Sequence, residues 1–283
     1  MESLPQDEPW ARRLGKTVLR HTVEAVLVLG VLVVALRVTY PSAISQRDTH
    51  LWSYSEDPYA QGDLNGVAYM VMRAASGETG CDATTHGIPW SWDLCSEIPN
   101  PVVTDLLGSL VSRWGMPLGY NLGILLFLAT NGLAVFWVVR LWGARAPPAL
   151  FAGIAAAIAP ALISEVEGGF VQHSWWAPAI LATGFCVASI ASWRRFWLIL
   201  PGAFCLMWSV PIYAMMAFKL LPWTLAAGAV AVFVGEDRKG RILRAVLGGG
   251  IAMAFALPIA LASLDSAGPR LFEGEANANT LML

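Results

Sequence analysis

The sequence contains about seven apolar stretches that are long enough, or nearly long enough, to cross the hydrocarbon core of a bilayer. Hydrophobic residues make up 56% of the chain and charged residues only 13%, whereas soluble domains carry about 25% charge. Because helices satisfy their own backbone hydrogen bonds in lipid, this pattern predicts an all-α, multi-pass transmembrane helical bundle. The predicted spans are 23–40, 118–141, 149–163, 174–193, 196–213, 219–234 and 245–263.

Two parts of this pattern allow more than one interpretation. The fifth and sixth stretches are separated only by residues 214–218, with Pro211 and Pro222 on either side, which predicts a tight hairpin or a partly re-entrant pair. The first stretch has an apolar centre of a length typical of a signal peptide. The residues that follow it, 38–43, fit a small-residue cleavage site poorly, so we expect an uncleaved anchor.

Charged residues alternate between the gaps that separate the stretches. Twelve of the 18 Lys and Arg residues precede the first stretch or follow the second, fourth and sixth, while fourteen Asp and Glu residues fall in the opposite gaps. Basic gaps stay in the cytoplasm. We therefore expect a cytoplasmic N-terminus (1–22), a transmembrane bundle (23–263) and an external tail (264–283), in an integral protein of the bacterial inner (plasma) membrane.

The first external loop, 41–117, is far longer than the others, and such loops usually carry function or structure of their own. Apolar residues recur at helical spacing over 64–75 and again over 103–114, where Pro101 provides a first-turn signal. Both segments predict amphipathic helices lying on the outer leaflet, and so in contact with membrane lipids. The alternative is that they pack as ordinary helices of a small external domain.

The middle of this loop contains Cys81, Trp90, Trp92 and Cys95. An oxidising compartment would permit a Cys81–Cys95 disulfide that stabilises the loop by roughly 3 kcal/mol. A metal site with His86 is the alternative, although the paired spacing of a zinc site is missing. The two tryptophans are candidates for stacking on a sugar ring, and they equally suit membrane anchoring.

Several polar residues lie where the chain leaves the predicted bundle on its external side. Asp48 follows the first stretch and could accept a proton from an attacking hydroxyl. Glu165 and Glu167 follow the third stretch and could hold a divalent cation or orient a phosphate-binding group. His173 and Lys219 are further candidates for phosphate contact. For each of them, a solvated or interfacial position is the alternative.

This arrangement resembles the polytopic membrane glycosyltransferases of the GT-C fold, which take sugars from polyprenyl-phosphate carriers. The resemblance rests on the acid Asp48, the two amphipathic segments, the acids Glu165 and Glu167, and two short motifs, Ile98-Pro99-Asn100-Pro101 and Gly119-Tyr120-Asn121-Leu122. It implies transfer of a sugar from a lipid-linked donor at the outer membrane face. Asp48 would be the base, and Glu165 and Glu167 would organise a metal ion or the phosphate.

The sequence also departs from this family, whose members usually have more spans. The seven predicted spans match only the N-terminal module that family members share. Two alternatives follow: a non-catalytic membrane subunit or transporter, or an inactive truncated fragment of such an enzyme. A short relative that needs a partner subunit would also fit. Nucleic acid is not expected as a partner, because the net charge of -2 provides no basic field. Phosphate-loop, dinucleotide-binding, zinc-protease and serine-hydrolase motifs are missing from the sequence.

Overall fold

The computed structural model describes residues 10–41, 68, 71–77, 101–167, 174–212, 214–233 and 237–267. Within these ranges the chain is helical and forms no strand, which confirms the all-α prediction. The helices are α1 (Trp10–Thr39), α2 (Pro101–Trp114), α3 (Leu118–Leu141), α4 (Ala146–Ala157), α5 (Pro160–Glu167), α6 (Ala177–Ile190), α7 (Ile199–Ile212), α8 (Ala214–Phe233) and α9 (Arg238–Ala267), with a 3₁₀ helix at Trp193–Leu198.

The central helix is α3, which contacts α1, α2, α4 and α6. It is apolar around its whole circumference, as expected for a helix surrounded by others. The contact between α3 and α4 is close because two glycines face each other: a Cβ added to Gly132 would lie 2.6 Å from the carbonyl oxygen of Gly153. Small residues allow helix backbones to approach in this way in membrane bundles.

Two groups of helices meet along α3. The first group surrounds a core built from α1 to α5, in which Leu32, Leu107, Ile124 and Val166 are buried. The second group comprises α6 to α9, where α7 contacts both α6 and α9 around Ile199. The contact between α3 and α6 joins the two groups.

Four of the described helices are long and apolar enough to cross a membrane: Val18–Thr39, Leu118–Leu141, Ala146–Ser164 and Arg238–Pro258. Two further apolar helices, Ala177–Ile190 and Thr224–Phe233, are shorter. The predicted fourth span is therefore a helix of only 14 residues, about 21 Å long, against a hydrocarbon core of about 30 Å.

Some predicted boundaries differ from the helices of the structure. The predicted third span, 149–163, is interrupted at residues 158–159, directly before Pro160, because proline removes a helical hydrogen bond. Residues 214–218 are not a connection between spans but the first turns of α8, which contains Pro222 in its interior. The helix α9 begins seven residues before the predicted seventh span.

The second amphipathic segment forms α2, which begins at Pro101 as predicted. Its Val103, Leu107 and Val111 are buried, and α2 contacts α3, so this apolar stripe packs on the bundle. Leu106 and Trp114 remain exposed. Of the first segment the structure describes residues 68 and 71–75, which are helical.

Basic residues gather at one end of the bundle, which we term the basic end. There α3, α6 and α8 finish and α9 begins, as the alternation of charged gaps requires. Four arginines on three segments contact other helices there. Arg140 Nε lies 3.7 Å from Glu24 Oε1, and Arg195 donates to the Leu141 carbonyl (3.4 Å). On α9, Arg241 donates to the carbonyl of Ala231 (2.6 Å) and Arg244 to that of Ile190 (2.7 Å).

Candidate functional site

The residues predicted to carry chemistry fall mostly outside the described part of the chain. Those outside it are Asp48, Cys81, Trp90, Trp92, Cys95 and His173. The base assignment, the disulfide, the sugar-stacking candidates and one phosphate candidate therefore stay predictions. Among the described residues, no group of three or more His, Cys, Asp or Glu residues could hold a metal ion.

The backbone positions of Glu165, Glu167 and Lys219 are described. The two glutamates are not in a loop, as predicted, but in the last turn of α5, on either side of the fully buried Val166. Lys219 lies in α8, in the half that precedes Thr224.

The end of α1 and the connection between α4 and α5 lie next to each other. The hydroxyl of Tyr40, the residue after α1, donates to the carbonyl of Ile158 at a distance of 3.2 Å. The carbonyl of Ile158 is available for this contact because the amide of Leu162 donates to the carbonyl of Ala159 instead. Glu165 lies seven residues beyond Ile158, about 10 Å of helix, and Asp48 lies eight residues beyond Tyr40, within about 28 Å of extended chain.

A break in the helical structure lies deep in the bundle. The chain enters α6 through Ser174, Trp175 and Trp176, and the fully buried side chain of Asn131 satisfies its backbone. Asn131 Nδ2 donates to the carbonyl of Ser174 (2.6 Å), and Asn131 Oδ1 accepts from the amide of Trp176 (2.7 Å). Trp175 stacks on Phe127, with ring centroids 5.1 Å apart.

This break is near the middle of α3, because Asn131 lies thirteen residues after Leu118 and ten before Leu141. The helix α6 therefore starts about 15 Å above the basic end of α3. Irregular backbone is tolerated at such depth only where protein or a cavity surrounds it. Asn131 provides both hydrogen bonds that two residues of this non-helical segment need.

An apolar cavity of about 550 Å³ lies between α6, α7, α8 and α9. Its volume is within the range of sites for small molecules and cofactors. Alanine and glycine residues form much of the wall, and the hydroxyls of Thr183 and Thr224 meet across it at 3.0 Å. Arg244 lines the cavity on the side of the basic end.

Arg244 is the most buried cation among the described residues, with 1% of its surface exposed. Its Nε donates to the carbonyl of Ile190, and Nη2 lies 3.5 Å from the carbonyl oxygen of Ala191, so the guanidinium satisfies the last carbonyls of α6. Nη1 and Nη2 each lie 3.3 Å from Asp237 Oδ2. A cation at this position also complements the negative end of the helix dipole.

Sequence reasoning missed the roles of three residues. Arg244 was counted with the basic gap before α9, and nothing local distinguishes it from its exposed neighbours. Asn131 and Pro160 lie within otherwise apolar predicted spans. Both mark helix breaks, and a polar or proline residue in the middle of a membrane span is the signal that could have identified them.

Comparison of the chain with protein-family models, with curated proteins and with solved structures finds no match. The fold and the geometry of the bundle therefore carry the functional argument.

Proposed function

We propose that this protein is a membrane glycosyltransferase that takes a sugar from a polyprenyl-phosphate carrier at the end of the bundle opposite the basic end. The observation that carries the proposal is the contact between Tyr40 and Ile158. It brings together the two chain segments that lead to Asp48 and to Glu165, which supports the proposal that the two acids act on one substrate.

In this mechanism an acceptor hydroxyl attacks the anomeric carbon of the donor sugar. Its proton passes to the Asp48 carboxylate as the new C–O bond forms. The bond between the sugar and the polyprenyl phosphate breaks, and the phosphate leaves with the electron pair. Glu165 and Glu167 organise the phosphate end of the donor, where they would orient basic groups or hold a divalent cation.

Other predicted residues take supporting roles in the proposal. We propose that His173, which directly precedes Ser174, and Lys219, in the half of α8 farther from the basic end, contact the phosphate of the donor. Trp90 and Trp92 are proposed to stack on the sugar or the acceptor.

The proposal includes seven membrane crossings, a cytoplasmic basic end and an external tail. The short helix α7 supports the crossings, because it runs from the 3₁₀ helix near the basic end to a contact with α2. The shorter helices α6 and α7 would be accommodated by local thinning of the bilayer. The cavity between α6 and α9 offers an apolar environment for part of the isoprenoid chain.

The direct test is transfer of labelled sugar from a polyprenyl-phosphate donor by the purified protein. Asp48→Asn keeps the shape of the side chain and removes the base, so we expect transfer to fall by a factor of about 10² to 10⁴. Asp57→Asn, in the same loop, is the matched control and should retain transfer. Equal transfer by both variants would refute the base assignment.

A transporter of lipid-linked intermediates is the second candidate, and the break at Ser174–Trp176 favours it. Transporters bind substrate near the bilayer midplane through interrupted helices. Here Asn131 and the interruption before α6 lie near the middle of α3. In vesicles containing the protein, a labelled lipid-linked sugar that crosses the bilayer without change in mass would favour transport over transfer.

A further inference from the structure

A second cavity lies at the basic end, between α1, α3 and α6, and its volume is about 530 Å³. One part of its wall is polar, formed by His21 and Arg140, and another part is apolar, formed by Leu181 and Phe185. Trp137 lines the cavity and contacts the ring of His21 edge-on, with centroids 5.4 Å apart. A cation beside an apolar wall is the combination that a phospholipid requires.

Arg140 carries much of the positive charge of this cavity and keeps donor capacity. A guanidinium has five N–H donors. Arg140 Nη1 donates to the carbonyl of Ala144 at 2.9 Å, whereas Nε is buried without a hydrogen-bond partner in the described structure. About a third of the side chain, 32%, is exposed, so an approaching anion can reach its surface, although not the buried Nε.

The nearest acid only partly neutralises this charge. Glu24 Oε1 lies 3.7 Å from Arg140 Nε, and Glu24 Oε2 lies 3.6 Å from His21 Nδ1. Both distances exceed those of charge-assisted hydrogen bonds, which are about 2.7–2.9 Å. Arg195 adds charge nearby, since it donates to the carbonyl of Leu141 on the same wall.

We infer that this cavity binds an anionic phospholipid of the leaflet at the basic end, with its phosphodiester on Arg140 and an acyl chain against Leu181 and Phe185. Basic pockets between membrane helices on the cytoplasmic side recognise anionic head groups by this chemistry. A soluble phosphate would use the cation but gain nothing from the apolar wall. The site is independent of sugar transfer, which is proposed for the opposite end.

The test is lipid retention by the purified full-length protein, measured by native mass spectrometry. After delipidation the protein is titrated with phosphatidylglycerol and with phosphatidylcholine of the same acyl chains. We expect the wild type to prefer phosphatidylglycerol, and Arg140→Gln to weaken its binding about fivefold, the effect of one cation at a lipid surface. Arg145→Gln is the matched control: Arg145 is an exposed arginine of the same end that does not line the cavity.

A variant with the opposite expected sign separates lipid binding from a structural role of Arg140. Glu24→Gln removes the competing carboxylate, so phosphatidylglycerol should bind more tightly, by up to about fivefold. This variant also carries the test if Arg140→Gln fails to fold. Equal retention of the two lipids by the wild type, or equal binding by the Arg140 and Arg145 variants, would overturn the inference.

The source of the phosphate is tested with glycerophosphoglycerol, which has the head group but no acyl chains. If the apolar wall contributes, this compound should not displace phosphatidylglycerol at equal concentration. Displacement at equal concentration would identify a site for a soluble anion and would contradict the phospholipid assignment.

Discussion

Replacement of Arg244 tests how the second group of helices is held together. Its hydrogen bond to the Ile190 carbonyl involves a charged donor, and such bonds contribute about 1.5–3 kcal/mol. Its guanidinium also lies 5.4 Å from the ring centroid of Trp193, a cation–π contact of about 0.5–2 kcal/mol. The contact with Asp237 adds little, because that carboxylate is 65% exposed.

We therefore expect Arg244→Ala to lower the free energy of unfolding by about 3–5 kcal/mol, since it also leaves buried carbonyls of α6 without a donor. At about 2 °C or more per kcal/mol, the unfolding temperature in detergent should fall by at least about 6 °C. The unfolding temperature of Arg244→Lys should lie between those of the wild type and of Arg244→Ala, because an ammonium keeps the charge but not the planar fork of the guanidinium.

The matched control is Lys239→Ala, which removes an exposed cation from the first turn of α9, five residues before Arg244. Its effect should stay within about 0.5 kcal/mol. If the Arg244 and Lys239 variants unfold at the same temperature, Arg244 does not cap α6 and the account of the basic end is wrong.

Three further predictions concern packing and orientation. Asn131→Ala should destabilise the bundle by about 2–5 kcal/mol in thermal unfolding, because the carbonyl of Ser174 and the amide of Trp176 lose their hydrogen bonds to its side chain. Gly132→Ala should lower the free energy of unfolding by about 1–3 kcal/mol, because the added methyl group forces α3 away from α4. At Gly30 an added Cβ would have no atom within 4 Å, so Gly30→Ala should be neutral or stabilising by up to about 1 kcal/mol. In a cysteine-free chain, Arg194→Cys should react with a membrane-impermeant thiol reagent only after the cells are permeabilised.

Each of these has a result that would contradict it. Thr39→Ala, on the exposed surface of α1, is the control for Asn131→Ala. Equal stability of the two variants would show that Asn131 does not stabilise the helix break. Equal effects at Gly132 and Gly30 would mean that the close approach of α3 and α4 is not required. Labelling at position 194 in intact cells would mean that the basic end faces outwards, which would contradict the predicted orientation.

The sequence predicted the central helix with the bounds that the structure has, Leu118–Leu141. This was possible because the stretch is continuously apolar and ends at a turn with Gly143 at φ +99°, a conformation that favours glycine. Signals of this kind lie entirely within the segment, so the segment's own sequence is enough to predict the helix. The start of α2 at Pro101 is a second example, since proline is tolerated in the first turn of a helix.

Other elements could not be predicted because their determinants are distant in sequence. The late start of α6 depends on Asn131, more than forty residues earlier, which bonds the non-helical chain before it. Residues 214–218 are predicted to separate two spans, with the flanking prolines favouring a tight hairpin or a re-entrant pair, yet they are helical and α8 continues through Pro222. Prolines are tolerated in membrane helices where neighbouring groups satisfy the freed backbone.

The candidate sites illustrate the same limit. The cavity at the basic end combines side chains from α1, α3 and α6, and no single segment indicates it. The charge pattern predicted that basic residues share one end of the bundle, which four arginine contacts confirm. It did not distinguish Arg244, which caps a helix, from Arg140, which keeps a free donor.

The central claim is that acids from two chain exits serve one site, and cross-linking between Asp48→Cys and Glu165→Cys tests it most directly. The experiment uses a chain whose native cysteines are replaced, and a short bifunctional thiol reagent. Tyr40→Cys with Ile158→Cys is the positive control, and Arg145→Cys with Glu165→Cys, about 30 Å apart along α4 and α5, is the negative control. The account predicts a cross-link between positions 48 and 165. Its absence, with the positive control linked, would place the acids too far apart to share a substrate and would contradict the proposed site.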